Sequence, residues 1–331
     1  MEETKEAKKF FSGLGGRYLI GAVVINVLQS LAVLALSHLA PALSANANVK
    51  LVLGAVTTDF IGLPLIALLV RRLPAENIER RKMNPGHFVL ALMMCYAVGI
   101  ASNVVGTVIT LIIGLVKGGM VQNEILNMTN GASMLLMFLY MVICAPIMEE
   151  LVFRKLIVDR AVHYGQGVAV IVSGLMFGLF HGNLNQFIYA FTLGMFLAFL
   201  YVKTGNLKIT ISIHMIFNFI SSILILGMIR QLDLQEYLRV YAGGNMDEIE
   251  NYLMEHITAL LSIIGLEFII GCVVIAGIVL LIVALATKKF TFNQGTVTIP
   301  KGKRFSAVIL NMGMICFCLF WIVAIVRQLF V

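Results

Sequence analysis

Ala132–Met148 reads ASMLLMFLYMVICAPIM, without a single charge, and runs straight into Glu149-Glu150-Leu151-Val152-Phe153-Arg154. An uncharged apolar run of this kind is a membrane span. Carboxylates are costly in hydrocarbon, so two of them at its end call for a function or a partner. Glu149 and Glu150 project about 100° apart around a helix and cannot face the same way. Glu150 and Arg154 stand at i and i+4, the spacing of an ion pair. Such a pair neutralises Glu150 and leaves Glu149 free to face the inside of a bundle. Pro146 is expected to bend or open the helix just before the carboxylates. The plainer alternative makes all three ordinary interfacial charges at the cytoplasmic end of a span, where long side chains snorkel cheaply.

The rest of the chain agrees with a membrane setting. Of 331 residues, 60% are hydrophobic and only 12% charged, and the mean hydropathy is +0.96. Such a composition excludes a water-soluble fold. The expectation is an all-α polytopic membrane protein, a bundle of about eight or nine transmembrane helices around a polar intramembrane cavity. Nine runs qualify as spans: 18–39, 51–70, 88–116, 132–148, 168–180, 186–202, 209–229, 257–287 and 305–326. The third and eighth exceed one crossing, so tilt, a kink or a break is expected there.

Over the termini and loops the 24 Lys and Arg fall as 4, 1, 5, 1, 3, 0, 2, 2, 5 and 1, so alternate segments hold 19 against 5. The positive-inside rule then puts the N-terminus and the loops with Arg71, Arg80, Arg160, Lys203 and Lys301 in the cytoplasm, with the C-terminus outside. The net charge of +7 is explained by this topology; it forms no basic face for nucleic acid. The five cysteines lie in apolar runs, without the spacing of a structural zinc site. No cleaved signal is expected at the charged start. Four regions follow: three spans over 1–131, a catalytic four-helix region over 132–229, an acidic amphipathic outer loop over 230–256 with Asp233, Glu236 and Asp247, and two spans over 257–331. Between the last two spans, 288–304 reads as a hairpin or linker.

Two further pairs occupy one helical face each: Phe177 with His181, and His214 with Asn218. A lone intramembrane histidine is usually a packing residue. Two of them within three neighbouring spans, together with Glu149, need a common explanation. If the fourth helix runs on to a turn at Gly165, Glu149 and His181 are equidistant from it, roughly 24 Å at ~1.5 Å per residue. His214 fits less well. It lies nine residues beyond a turn at Gly205, a mismatch of ~10 Å that tilt or a protruding hairpin must absorb. Asn183, Asn185 and Gln186 can lie at this depth only beside water or packed on protein.

Glu149-Glu150-xxx-Arg154, Phe177-xxx-His181 and His214-xxx-Asn218, in this order on successive helices, resemble the signature of the CPBP family, also called Abi. That family includes the type II CAAX prenyl endopeptidases, or Ras-converting enzymes. The resemblance covers about 132–222. It implies intramembrane peptide-bond hydrolysis, with Glu149 and His181 activating a water and His214 and Asn218 binding the oxyanion. Glu150 and Arg154 would support Glu149, and Phe177 would be packing. The chemistry is reasonable on its own terms. A carboxylate in a poorly hydrated cavity is a better base than in water, and donors fixed at i and i+4 can hold the developing negative charge.

No cofactor is expected. The alternative is zinc on Glu149, His181 and His214, but Asn218 is a poor zinc ligand and a good oxyanion donor. The expected partners are membrane lipid and a hydrophobic or lipidated peptide substrate, with no nucleic acid, and the expected place is a bacterial plasma membrane. Competing readings are a peptide-binding or bacteriocin-immunity protein, and a transporter built on Asp59 and Glu267. For these last two the preferred reading is a carboxyl bonded to a neighbouring helix.

Overall fold

The computed structural model describes residues 2–119, 121, 131–232 and 234–330. Asp233 of the acidic loop therefore lies outside the described residues. Among these residues the chain is helical, without a strand. Nine apolar helices follow in order: α1 (Glu2–Leu39), α2 (Ala47–Val70), α3 (Pro85–Lys117), α4 (Met134–Tyr164), α5 (Gln166–Phe180), α6 (Leu184–Thr204), α7 (Leu207–Leu232), α8 (Ile257–Ala286) and α9 (Met312–Leu329). Eight are long and apolar enough to cross a bilayer, and α5, at 15 residues, is the short one. This is an integral membrane protein.

Several boundaries depart from expectation. The charged N-terminal stretch continues α1 instead of preceding it. The long third and eighth segments are unbroken helices of 33 and 30 residues, about 50 and 45 Å at ~1.5 Å per residue. The last span begins at Met312 because Asn311 stops the preceding short helix and caps α9, its Oδ1 accepting from Met314 N at 3.0 Å. Of the hairpin and the linker expected over 288–304, the segment is the linker, an extended strap: Gln166 N donates to Asn293 O (3.1 Å) and Val297 N to His163 O (3.1 Å), fastening it across the α4/α5 turn.

Close packing sets the inner helices. A Cβ on Gly174 or Gly178 of α5 would stand 2.4–2.9 Å from Met195 and Phe191 of α6, so both must be glycine for the backbones to meet. In a membrane such small-residue contacts hold helices together, because lipid is as apolar as the side chains themselves. Turns are marked by Gly165 at φ 114° and Gly205 at φ 56°, both in the region that favours glycine. In α8 the one buried residue is Gly277, so this helix presents its surface to lipid.

One end of the bundle gathers most of the basic loops. Glu76 N donates to Asp159 O (2.6 Å) and Arg81 N to Thr204 O (2.6 Å), so the 72–84 segment joins α4 to α6. Tyr164 packs against Phe10 and Phe11 at 5.0 and 5.1 Å between ring centroids, which brings the start of α1 to the same end.

Candidate active site

Pro146 decides the local form of α4. It has no N–H, and the helix around it opens into two π-helical stretches, Phe138–Cys144 and Glu150–Leu156. In the first, Ala145 N bonds back five residues to Tyr140 O. The same spacing would give Met141 O to residue 146, which has nothing to donate. Asn218 of α7 takes its place, Nδ2 donating to Met141 O at 2.8 Å. In the second stretch, side chains from other helices serve the carbonyls. Tyr18 Oη donates to Val152 O (2.6 Å) and Ser173 Oγ to Phe153 O (2.8 Å).

The two glutamates diverge as the helix geometry requires. Glu150 is fully buried, and Arg154 Nη2 lies 3.0 Å from its Oε1. The guanidinium sits over the Phe177 ring, 4.4 Å from its centroid. With Arg154 Nε and Nη1 lacking a hydrogen-bond partner among the described residues, the ring face supplies a further favourable contact. Phe177 is thus more than packing. Its ring also meets His181 edge to face at 4.8 Å and His214 at 5.9 Å, joining the arginine to both imidazoles.

His214 Nδ1 lies 3.0 Å from Glu150 Oε1, and its Nε2 lies 3.6 Å from Glu149 Oε2. A carboxylate paired with arginine accepts, so His214 carries its proton on Nδ1 and turns Nε2 towards Glu149. His181 is fixed in the same tautomer by another partner, its Nδ1 donating to Phe177 O at 2.9 Å, since a carbonyl can only accept. Its Nε2 is left with a lone pair. Glu149 keeps 22% side-chain exposure where His214 keeps 4% and Glu150 none, so Glu149 is the acid that water can reach.

The imidazole within ion-pair distance of Glu149 is His214; among the described residues His181 makes no such contact with either glutamate. The depth mismatch of His214 is absorbed by a protruding hairpin, one of the two ways expected, because the two turns do not share a level. Tyr201, just before Gly205, donates to Asp159 Oδ1 at 2.8 Å. Asp159 lies ten residues from Glu149, and Gly205 nine from His214. Gly165 projects beyond that plane as a protruding hairpin.

Asn183 and Gln186 pack on protein and on each other: Asn183 Nδ2 donates to His181 O (2.9 Å) and its Oδ1 accepts from Gln186 N (2.9 Å). Among the described residues no three of His, Cys, Asp and Glu stand so as to hold a metal ion, Glu149, His181 and His214 included. The zinc arrangement does not fit this set.

Of the two acids outside the motifs, Asp59 of α2 is 2% exposed, and among the described residues its Oδ2 has no hydrogen-bond partner. Asp59 and Met141 each precede a proline by five residues, and α2 is also π-helical there, over Val56–Gly62. Glu267 differs from expectation, being exposed on α8.

Residues 131–220 match the family model described as Type II CAAX prenyl endopeptidase Rce1-like. A Bacillus subtilis (strain 168) protein named "Putative membrane peptidase YdiL" is 24% identical over 159 residues, which are 47% of this chain and 64% of that protein. The chain thus spans just under two thirds of that relative. No solved structure matches it. The matched region contains Glu149, Glu150, Arg154, Phe177, His181, His214 and Asn218, the residues gathered above.

Proposed function

We propose that the chain is an intramembrane endopeptidase that hydrolyses a peptide bond of a hydrophobic or lipidated peptide. The observation that carries this reading is the alignment of Glu150, His214 and Glu149, in which one imidazole lies between a fully buried carboxylate and a partly exposed one. Glu149 and the His181 Nε2 lone pair are the two groups able to take a proton from water. The hydroxide so formed adds to the scissile carbonyl carbon, and that carbon's oxygen becomes an oxyanion. His214 Nε2, when it carries a proton, and the second N–H of Asn218 are the donors that meet this charge. Glu150 holds the His214 ring in place through Nδ1, 3.0 Å from its Oε1. The proton held by Glu149 or His181 then passes to the leaving nitrogen, the C–N bond breaks, and a carboxylic acid and an amine result; the acid gives its proton to the amine, leaving a carboxylate and an ammonium group. The 3.6 Å between His214 and Glu149 is beyond hydrogen-bond contact, a looseness common before substrate binds.

By the positive-inside rule, the end where the N-terminus, the 72–84 segment and the strap meet is cytoplasmic, in a bacterial plasma membrane. No cofactor takes part in this mechanism; lipid and the peptide are the partners.

Purified protein in detergent or nanodiscs, given a quenched fluorescent hydrophobic peptide with and without a lipidated cysteine, tests the reading. Glu149→Gln and His181→Ala should each lower kcat at least 100-fold while still binding the peptide, and a strong chelator should leave wild-type turnover unchanged. Wild-type rates in both variants would overturn it.

A further inference from the structure

The second opened stretch of α4, Glu150–Leu156, is completed from outside the helix. At its end Ile157 N turns to Arg154 O, only three residues back. Ordinary winding would give that donor to Phe153 O, and the wider winding would give it to Val152 O. Both carbonyls must find a donor elsewhere, and each meets a hydroxyl from another helix. Tyr18 Oη of α1 donates to Val152 O at 2.6 Å, and Ser173 Oγ of α5 donates to Phe153 O at 2.8 Å. Tyr18 and Ser173 are both fully buried. A carbonyl left unbonded at this depth has no water to turn to, so losing either hydroxyl strands its partner. Ordinary winding of α4 would need neither. The two hydroxyls therefore fit the widened form of the turn and no other.

What that turn carries is the inner part of the site. Val152 and Phe153 directly precede Arg154, whose guanidinium pairs with Glu150 and lies over the Phe177 ring. On α5, Ser173, Phe177 and His181 follow one another at intervals of four along one row. Phe177 touches the Phe153 ring at 5.3 Å between centroids, and His181 Nδ1 donates to Phe177 O at 2.9 Å. Ring contacts of this kind have little direction and tolerate sliding of one helix along another. A hydroxyl seated on one particular carbonyl does not. The Ser173 bond thus fixes the row that ends in His181 against the helix that carries Glu149. Tyr18 holds the same turn from the other side, on a helix that is itself anchored: Gly313 N of α9 donates to Ser12 Oγ of α1 at 3.1 Å.

We propose that Ser173 and Tyr18 are positioning residues for the hydrolytic centre, keeping Glu150–Leu156 in its widened form and in register with α5, so that His181 keeps its place relative to Glu149 when substrate arrives. Neither residue touches the reacting atoms. The inference rests on the hydrolytic reading above and adds two residues outside the three motifs, Tyr18 lying outside the matched region as well.

The test compares Ser173→Ala, Tyr18→Phe, Met314→Ala and Glu149→Gln in the same peptide-cleavage assay, with thermal unfolding in detergent measured on each. Ser173→Ala and Tyr18→Phe each remove one hydroxyl without adding bulk, and either one, once folded, carries the test. Met314→Ala empties a fully buried position on α9 and is the control for lost stability. Ser173→Ala and Tyr18→Phe are each expected to lower kcat tenfold or more with KM within twofold of wild type, while Met314→Ala melts earlier but keeps kcat within twofold. Wild-type kcat in either folded hydroxyl variant, a loss carried by KM alone, or an equal fall of kcat in Met314→Ala would overturn the proposal, while an inactive Glu149→Gln left the hydrolytic reading standing. Full cleavage by Glu149→Gln would bring down both.

Discussion

Glu150 uses one oxygen for two partners, the Arg154 guanidinium and the His214 ring, each at 3.0 Å. Removing one side of a buried ion pair leaves the other charge stranded, at a cost of about 3–5 kcal/mol. Glu150→Gln is therefore expected to lower the melting temperature clearly and to free the His214 ring. Glu149→Gln, on a side chain with 22% exposure, should melt close to wild type. Equal melting temperatures for the two variants would contradict this division of roles. The ion pair itself was legible, because i and i+4 fix a contact within one helix. That His214 completes it was not, since spacing along a helix says nothing about which neighbour a side chain meets.

At the scale of elements, Pro146 is the residue that shapes the site without touching substrate. Pro146→Ala returns an N–H to the helix and gives Met141 O a donor from its own chain, which displaces the Asn218 amide. The expected result is a protein at least as stable as wild type in thermal unfolding, with kcat lowered tenfold or more. Loss of stability with kcat intact would mean that the opened turn has no part in the reaction. The bend or opening at Pro146 could be read from the sequence, but its form could not. A proline forbids one hydrogen bond without dictating whether the helix kinks or widens, and only the packing of α1, α5 and α7 settles that. Of the tilt, kink or break expected in α3 and α8, the break is absent, because excess length alone does not interrupt a helix that carries no proline inside it. The depth mismatch of ~10 Å expected for His214 is taken up by the protruding hairpin at Gly165, one of the two ways that the sequence allowed.

For the molecule as a whole, span number and order were readable from hydropathy, and the loops that the charge count assigned to one side do meet at one end. The α1 start, the 72–84 segment, the Gly165 turn and the strap are bonded or packed together there. Single cysteines placed in a cysteine-free background check the orientation. Met246→Cys, at a residue 72% exposed beyond the opposite end, should react with a membrane-impermeant maleimide in intact cells. Gly302→Cys in the strap should react only after lysis, and the reverse pattern would invert the topology.

The π-helical stretches also act as a phase setting for the entire molecule. Each holds an additional amino acid within a turn, and a helix advances by about 100° per residue. Losing a single codon between Phe138 and Cys144 would let α4 relax to ordinary winding. Everything on the N-terminal side would then swing by roughly that angle relative to Glu149, carrying Tyr140 away from α2 with hardly any change in composition or length.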